Sequence, residues 1–127
     1  MQFFNSLSQY RPQALAVLRI IAALLFIEHG TMKLFGFPAA MGEGALPPLM
    51  LVAGILEVFG GALIAIGLFT RPVAFILSGQ MAFAYFMGHA GQSIWPAVNG
   101  GDAAILFCFV FLYFVFSGPG AWAVDKN

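Results

Sequence analysis

The sequence predicts an all-α integral membrane protein: one domain over residues 1–127, in which four helices form an up-and-down bundle with both termini cytoplasmic. Three observations predict it. First, charged residues make up only 8% of the 127 residues and hydrophobic ones 61%, with a mean hydropathy of +0.94. Soluble domains carry about 25% charged residues, so too few are present to cover a water-facing surface. Second, four apolar segments approach the roughly 20 residues needed to cross about 30 Å of hydrocarbon, and glycine- and proline-rich breaks separate them. Third, Arg11, Arg71 and Lys126 fall on one side of a four-crossing topology. The positive-inside rule makes that side the cytoplasm.

The first segment spans about 12–35, with Pro12 suited to the opening helical turn. Arg19 within its apolar run, and the polar EHGTMK at its far end, mark a retained helix rather than a cleaved signal peptide. The break FGFPAAMGEGALPP leads to the second segment, about 47–68. Thr70-Arg71-Pro72 is a tight polar turn into the third, about 72–88, which GHAGQSIWPAVNGG closes. The fourth covers about 101–117 and ends at Ser117-Gly118-Pro119-Gly120. Its apolar stretch is short, so its ends reach into neighbouring residues.

Several function classes are excluded at once. Five Lys+Arg balanced by five Asp+Glu leave no basic stripe for a nucleic acid. A single cysteine, Cys108, excludes an internal disulfide or a Cys-pair redox relay. The two histidines lack a His-x-x-x-His spacing, and no Walker-type loop is present, so neither a metal site nor a nucleotide site is expected.

The polar residues are then the informative ones. An ionisable side chain in a membrane helix costs about 2.5–3.5 kcal/mol on insertion scales, so such groups pair and face the bundle interior. Glu28, His29 and Lys33 lie in the outer half of the first helix, and Glu57 lies near the middle of the second. His89, Asn99 and Asp102 frame the outer connection between the third and fourth. At about 100° per residue, Arg19, Phe26, His29, Gly30 and Lys33 share one broad face. Glu57 shares its face with Ala53, Gly54, Gly60 and Gly61, small residues that admit a neighbouring helix. Glu57 is therefore the best candidate for a buried acid, in reach of Lys33 or His29.

Glu57 and His29 form the centre of a candidate pocket, with Arg19, Glu28, Lys33, Asn99 and Asp102 as candidate ligand contacts. Each has a plainer alternative. Lys33 and Arg19 can snorkel to the boundaries, Arg71 can anchor topology and cap a helix end, and Asp102 with Asn99 can cap the fourth helix. The charges together can simply neutralise one another and fix helix register. The Phe-rich run from Phe107 to Phe116 suits lipid contact and packing, or the lining of a ring pocket.

The segment LRIIAALLFIEHGTMKLFG resembles the first helix of DoxX-type membrane proteins, with its Leu-Arg start and His-Gly-x-x-Lys-Leu-Phe-Gly end. GILEVFGGALIAIGLFTRPVA is similar to the family's second signature, carrying Glu57, Gly60, Gly61, Gly67, Thr70 and Arg71. NGGDAAILF and GPGAWAVD resemble its last helix and tail, with Asp102 at a position where glutamate is more usual.

The resemblance implies a four-helix bundle in the bacterial cytoplasmic membrane and a role in redox metabolism. On that expectation the chain is a membrane subunit of a quinone-linked oxidoreductase or oxidative-stress system. Glu57 and His29 would exchange protons with a bound quinone, and Arg19 or Lys33 would stabilise a developing oxyanion. No haem or flavin motif is present, so electrons would come from a partner oxidoreductase subunit. The expected partners are the lipid bilayer and that subunit, or a second copy of the chain. The competing expectation is a non-enzymatic membrane scaffold or chaperone, or a small-solute carrier.

Overall fold

The computed structural model describes residues 1–42, 44 and 46–126, and among these the regular structure is helical with no strand. A short helix α1 (Gln2–Ser6) and a 3-10 turn (Leu7–Tyr10) lead into α2 (Arg11–Phe35). After them come α3 (Pro48–Ile66), α4 (Thr70–Gly88), α5 (Pro96–Asn99) and α6 (Asp102–Ser117). Proline lies in the first turn of α2 (Pro12) and opens α3 (Pro48), where a missing N–H leaves no bond unmade. Gly36 and Gly67 end them with φ of +67° and +70°, a left-handed conformation that only glycine adopts without strain.

Hydrophobicity is inverted relative to a water-soluble protein. Arg19 is 0% exposed and Glu57 2%, whereas Phe59 is 66%, Phe75 66% and Phe116 75% exposed. Charge sits inside and large apolar side chains face out, as a lipid environment favours. Two helical stretches, Gln2–Phe35 and Pro48–Ile66, are long and apolar enough to cross a membrane, and Asp102–Ser117 is apolar but shorter.

The helices pack mainly as two pairs, α2 with α3 and α4 with α6, and α3 also meets α4. Glycines set the closeness of the first pair. A Cβ on Gly61 would stand 2.6 Å from Ile27 Cγ1, and one on Gly54 2.8 Å from Leu34 Cδ2. On the neighbouring side of α3, a Cβ on Gly60 would meet Leu77 of α4 at 2.8 Å. The two pairs are joined by an apolar core that includes Phe26, Ile64, Leu77, Phe111 and Phe114. The Phe26 and Phe111 rings meet edge to face at 4.8 Å. The Phe-rich run of α6 is thus divided: Phe111 and Phe114 are core, while Phe109 and Phe116 face outward.

The segment after α6 is irregular but tightly held. Buried Arg19 donates hydrogen bonds to the carbonyls of Pro119, Ala121, Trp122 and, across α3, Ala65. Backbone bonds add to the grip: Ala121 N–H to Pro12 O, Val124 N–H to Ile66 O and Asp125 N–H to Gly67 O. Arg71 donates to the carbonyls of Val115 and Phe116 and so caps α6. Arg19 thus supplies donors to the backbone carbonyls of this irregular segment.

Candidate functional site

Away from this tail, the two helix pairs part to form a cleft of about 770 Å³. Its walls are mostly apolar, with Phe26, Met50, Leu56, Met81 and Phe107 among them. Its polar lining comes from His29, Lys33, Glu57, Gln80 and His89.

Glu57 is the centre of this polar group. Lys33 Nζ donates to its Oε1 at 2.7 Å and Gln80 Nε2 to its Oε2 at 2.9 Å, so both carboxylate oxygens are engaged. Gln80 Nε2 also reaches Ala53 O at 3.4 Å. Gln80 Oε1 is buried without a partner among the described residues. Gly30 makes the arrangement sterically feasible, because a Cβ there would lie 2.9 Å from Glu57 Cβ and 2.9 Å from the Val58 backbone nitrogen. Any larger residue would push α3, and Glu57 with it, away from Lys33.

The histidines are oriented by backbone carbonyls. His29 Nδ1 lies 2.8 Å from Leu25 O, and its ring meets Phe107 edge-on at 5.8 Å. His89 Nδ1 lies 3.0 Å from Asn99 O, with its ring stacked 6.4 Å from that of Tyr85. A carbonyl can only accept, so each Nδ1 carries a proton. In the neutral ring Nε2 is then the acceptor.

Of the residues singled out from sequence, the cleft brings together His29, Lys33 and Glu57. Arg19 does not join them: it lies ten positions before His29 on α2, roughly 15 Å along the axis, and its guanidinium holds the tail. Glu28 is exposed on another face of α2, and its side chain has no partner among the described residues. Asn99 is 4% exposed, but its side chain is committed to the Tyr85 hydroxyl, Ser93 O and the Gly101 N–H. It shapes the connection between α4 and α6 and does not line the cleft. Asp102 is exposed in the first turn of α6, where an acid suits the helix dipole.

Two cleft residues, Gln80 and His89, were not among the sequence candidates. An uncharged amide in an otherwise apolar helix was the available signal for Gln80. No group of three metal-ligating side chains occurs among the described residues. An ion pair, an amide and two imidazoles along apolar walls can orient a small ring compound with polar substituents. Such mostly apolar pockets of about 300–1,000 Å³ hold compact organic ligands.

The chain is similar to other proteins along most of its length. An uncharacterized protein of Haemophilus influenzae is 52% identical over 97% of this chain and 96% of its own length. The inner membrane protein YphA of Escherichia coli is 29% identical over 92% of this chain and 91% of its own. An uncharacterized membrane protein of Mycobacterium tuberculosis is 24% identical over 91% of this chain and 82% of its own. No solved structure gives a significant match. The DoxX family model matches residues 14–90, which span most of α2, all of α3 and α4 and all five polar cleft residues, and the chain belongs to the DoxX family of membrane proteins.

Proposed function

We propose that this DoxX protein binds a quinone or similar small ring compound in the cleft between its helix pairs, as the membrane subunit of a quinone-linked oxidoreductase or oxidative-stress system. The observation that carries the proposal is the cleft itself: about 770 Å³, apolar on most of its wall, with its polar groups gathered around Glu57. An amphipathic ring needs that combination of apolar walls and a few placed polar atoms.

In this proposal the chain is a single multi-pass domain of the bacterial cytoplasmic membrane, a four-helix up-and-down bundle with both termini cytoplasmic. The outward-facing apolar side chains and the name of the Escherichia coli relative support it. Exposed Tyr10 and Trp122 near one end and exposed Trp95 in the opposite connection suit the two aromatic interface belts. Glu57 and His29 exchange protons with the bound ring compound, and Lys33 balances negative charge. Electrons come from a partner subunit.

A second proposal, a non-enzymatic scaffold or solute carrier, is favoured by one feature. Lys33 and Gln80 already engage both oxygens of Glu57, as a purely structural register device would require. Purification in mild detergent, followed by native mass spectrometry and lipid extraction, separates the two. A stoichiometric quinone-type compound supports the first, and a protein partner without such a ligand supports the second.

A further inference from the structure

The polar atoms left available in the cleft are predominantly acceptors. His29 and His89 each commit Nδ1–H to a backbone carbonyl, which leaves Nε2 as an acceptor in the neutral ring. Gln80 uses its amide nitrogen on Glu57 Oε2 and Ala53 O, and its Oε1 is the atom without a partner. The opposite amide orientation would set two oxygens, Gln80 Oε1 and Glu57 Oε2, against each other, so the assignment is fixed by its neighbour. The side-chain donor at this level, the Lys33 ammonium, spends one of its three N–H groups on Glu57 Oε1 at 2.7 Å and is held beside that carboxylate.

His29 and Gln80 flank the same ion pair from two helices: His29 stands one turn from Lys33 on α2, and Gln80 bonds Glu57 from α4. His89 is nine positions beyond Gln80, roughly 13 Å along α4. It therefore lies at a different depth. The inner part of the cleft thus offers a ligand the His29 nitrogen, while Gln80 Oε1 is buried behind the wall.

We infer that the cleft recognises a ring compound through hydroxyl groups that donate to it, a hydroquinone or related phenol, in preference to the carbonyl-bearing quinone. This rests on the proposal that the cleft takes a small ring compound, and it names the chemical form taken. A quinone oxygen facing His29 Nε2 would place acceptor against acceptor. A hydroxyl there satisfies both partners. Sites built to bond a hydroxyl discriminate strongly against analogues that lack one, because the protein's own polar atoms are then left unpaired.

The test is anaerobic equilibrium binding to the purified full chain in detergent at pH 8. The probes are a short-chain benzohydroquinone, the matching benzoquinone and the dimethyl ether of the hydroquinone. The hydroquinone is expected to bind about tenfold or more tightly than the other two, the yield of one well-formed buried hydrogen bond. His29→Phe is expected to remove that preference, bringing hydroquinone affinity down to the level of the dimethyl ether. Equal binding of hydroquinone and quinone would overturn the inference and leave the cleft proposal standing. Failure of all three probes to bind would remove both. The wild-type comparison decides the matter even if His29→Phe folds poorly.

Discussion

Asp125 accepts the Thr70 N–H with one carboxylate oxygen and the Phe69 N–H with the other, each at 2.8 Å. The start of α4 has no capping side chain of its own, since Phe69 sits in the left-handed region at φ +53°. A carboxylate from the C-terminal segment supplies the cap, and its charge suits the positive end of the helix dipole. With Arg19 holding the carbonyls of the same segment, the tail joins α2, α3 and α4 at the end opposite the cleft.

The Asp125 contact makes the tail pH-sensitive. The Thr70 N–H is the main cause holding the Asp125 carboxyl below its ordinary value; the Phe69 N–H and the Arg19 charge act the same way, and partial burial opposes them. A depressed carboxyl contributes stability above the unfolded value, about 3.9, and loses it as pH falls through the lower folded value. Hydrogen exchange of Phe69 and Thr70 amides should therefore be protected at neutral pH and lose protection in acid below that range. Asp125→Ala should remove the protection at every pH and cost about 1 kcal/mol, the usual worth of a helix cap. Unchanged exchange in Asp125→Ala would show that these two amides are protected without the Asp125 carboxylate.

Arg19 should behave as a structural residue. Arg19→Leu leaves the carbonyls of Pro119, Ala121 and Trp122 without their donor in a buried setting, at about 1–3 kcal/mol for each group that finds no substitute. Arg19→Lys should recover only part of this, because one ammonium cannot span the carbonyls that the planar guanidinium reaches together. Protease sensitivity of residues 118–126 should rise in both variants, more in Arg19→Leu. Ring-compound binding by the folded fraction should stay at the wild-type level. A folded Arg19→Lys protein with an intact tail but impaired ligand binding would return Arg19 to the site.

What was legible in the sequence followed from local physics. Glu57 stood out as a lone acid on a small-residue face, and helix rotation put Lys33 and His29 within its reach. Pro12 marks a helix start through a constraint that needs no tertiary partner, whereas the left-handed Gly67 ends α3 at Ile66, short of the expected 68. Asp125 was invisible because its role depends on the path of an irregular tail through space. That tail also explains why α4 starts at Thr70 and not at Pro72, since the cap arrives from Asp125. Arg19 was legible as buried and basic but not as a tail anchor, because backbone carbonyls leave no side-chain signature. The helical turns before Arg11 lack the apolar periodicity that identifies a longer helix, and so did not register.

The α2–α3 contact predicts a contrast between two glycines. Gly61→Leu drives side-chain atoms into Ile27, where even a Cβ would be 2.6 Å from Cγ1, and should destabilise the protein by about 1–3 kcal/mol. Gly79 sits in α4 with nothing within 4 Å of its added Cβ. Gly79→Ala should be neutral or stabilising by about 0.5–1 kcal/mol, the helix preference of alanine over glycine. Thermal unfolding in detergent checks both. A Gly61→Leu protein with wild-type stability would place that face toward lipid.

The final prediction separates a proton-exchanging Glu57 from one that only balances Lys33. Both roles require the buried pair, so a single substitution confuses them. Glu57→Gln leaves the Lys33 ammonium, whose side chain is 11% exposed, without its carboxylate. Breaking a buried pair from one side typically costs about 3–5 kcal/mol, and the variant should be poorly folded for that reason alone. Adding Lys33→Met removes the stranded charge and fills its volume with an apolar chain. The double variant should recover to within about 1 kcal/mol of wild type, since replacing both members of a buried pair is often close to neutral. Gln80 can still donate to the new amide oxygen at position 57, so the link between α3 and α4 persists. With folding restored, proton chemistry becomes the readout. If Glu57 exchanges protons with the bound ring compound, the double variant should bind the compound yet lose the proton uptake or release that accompanies binding, because an amide cannot exchange that proton. Isothermal titration in buffers of different ionisation enthalpy measures that proton count directly. A folded double variant with wild-type affinity and the wild-type proton count would exclude Glu57 as the exchanging group and leave it as the partner that fixes Lys33 between the helices.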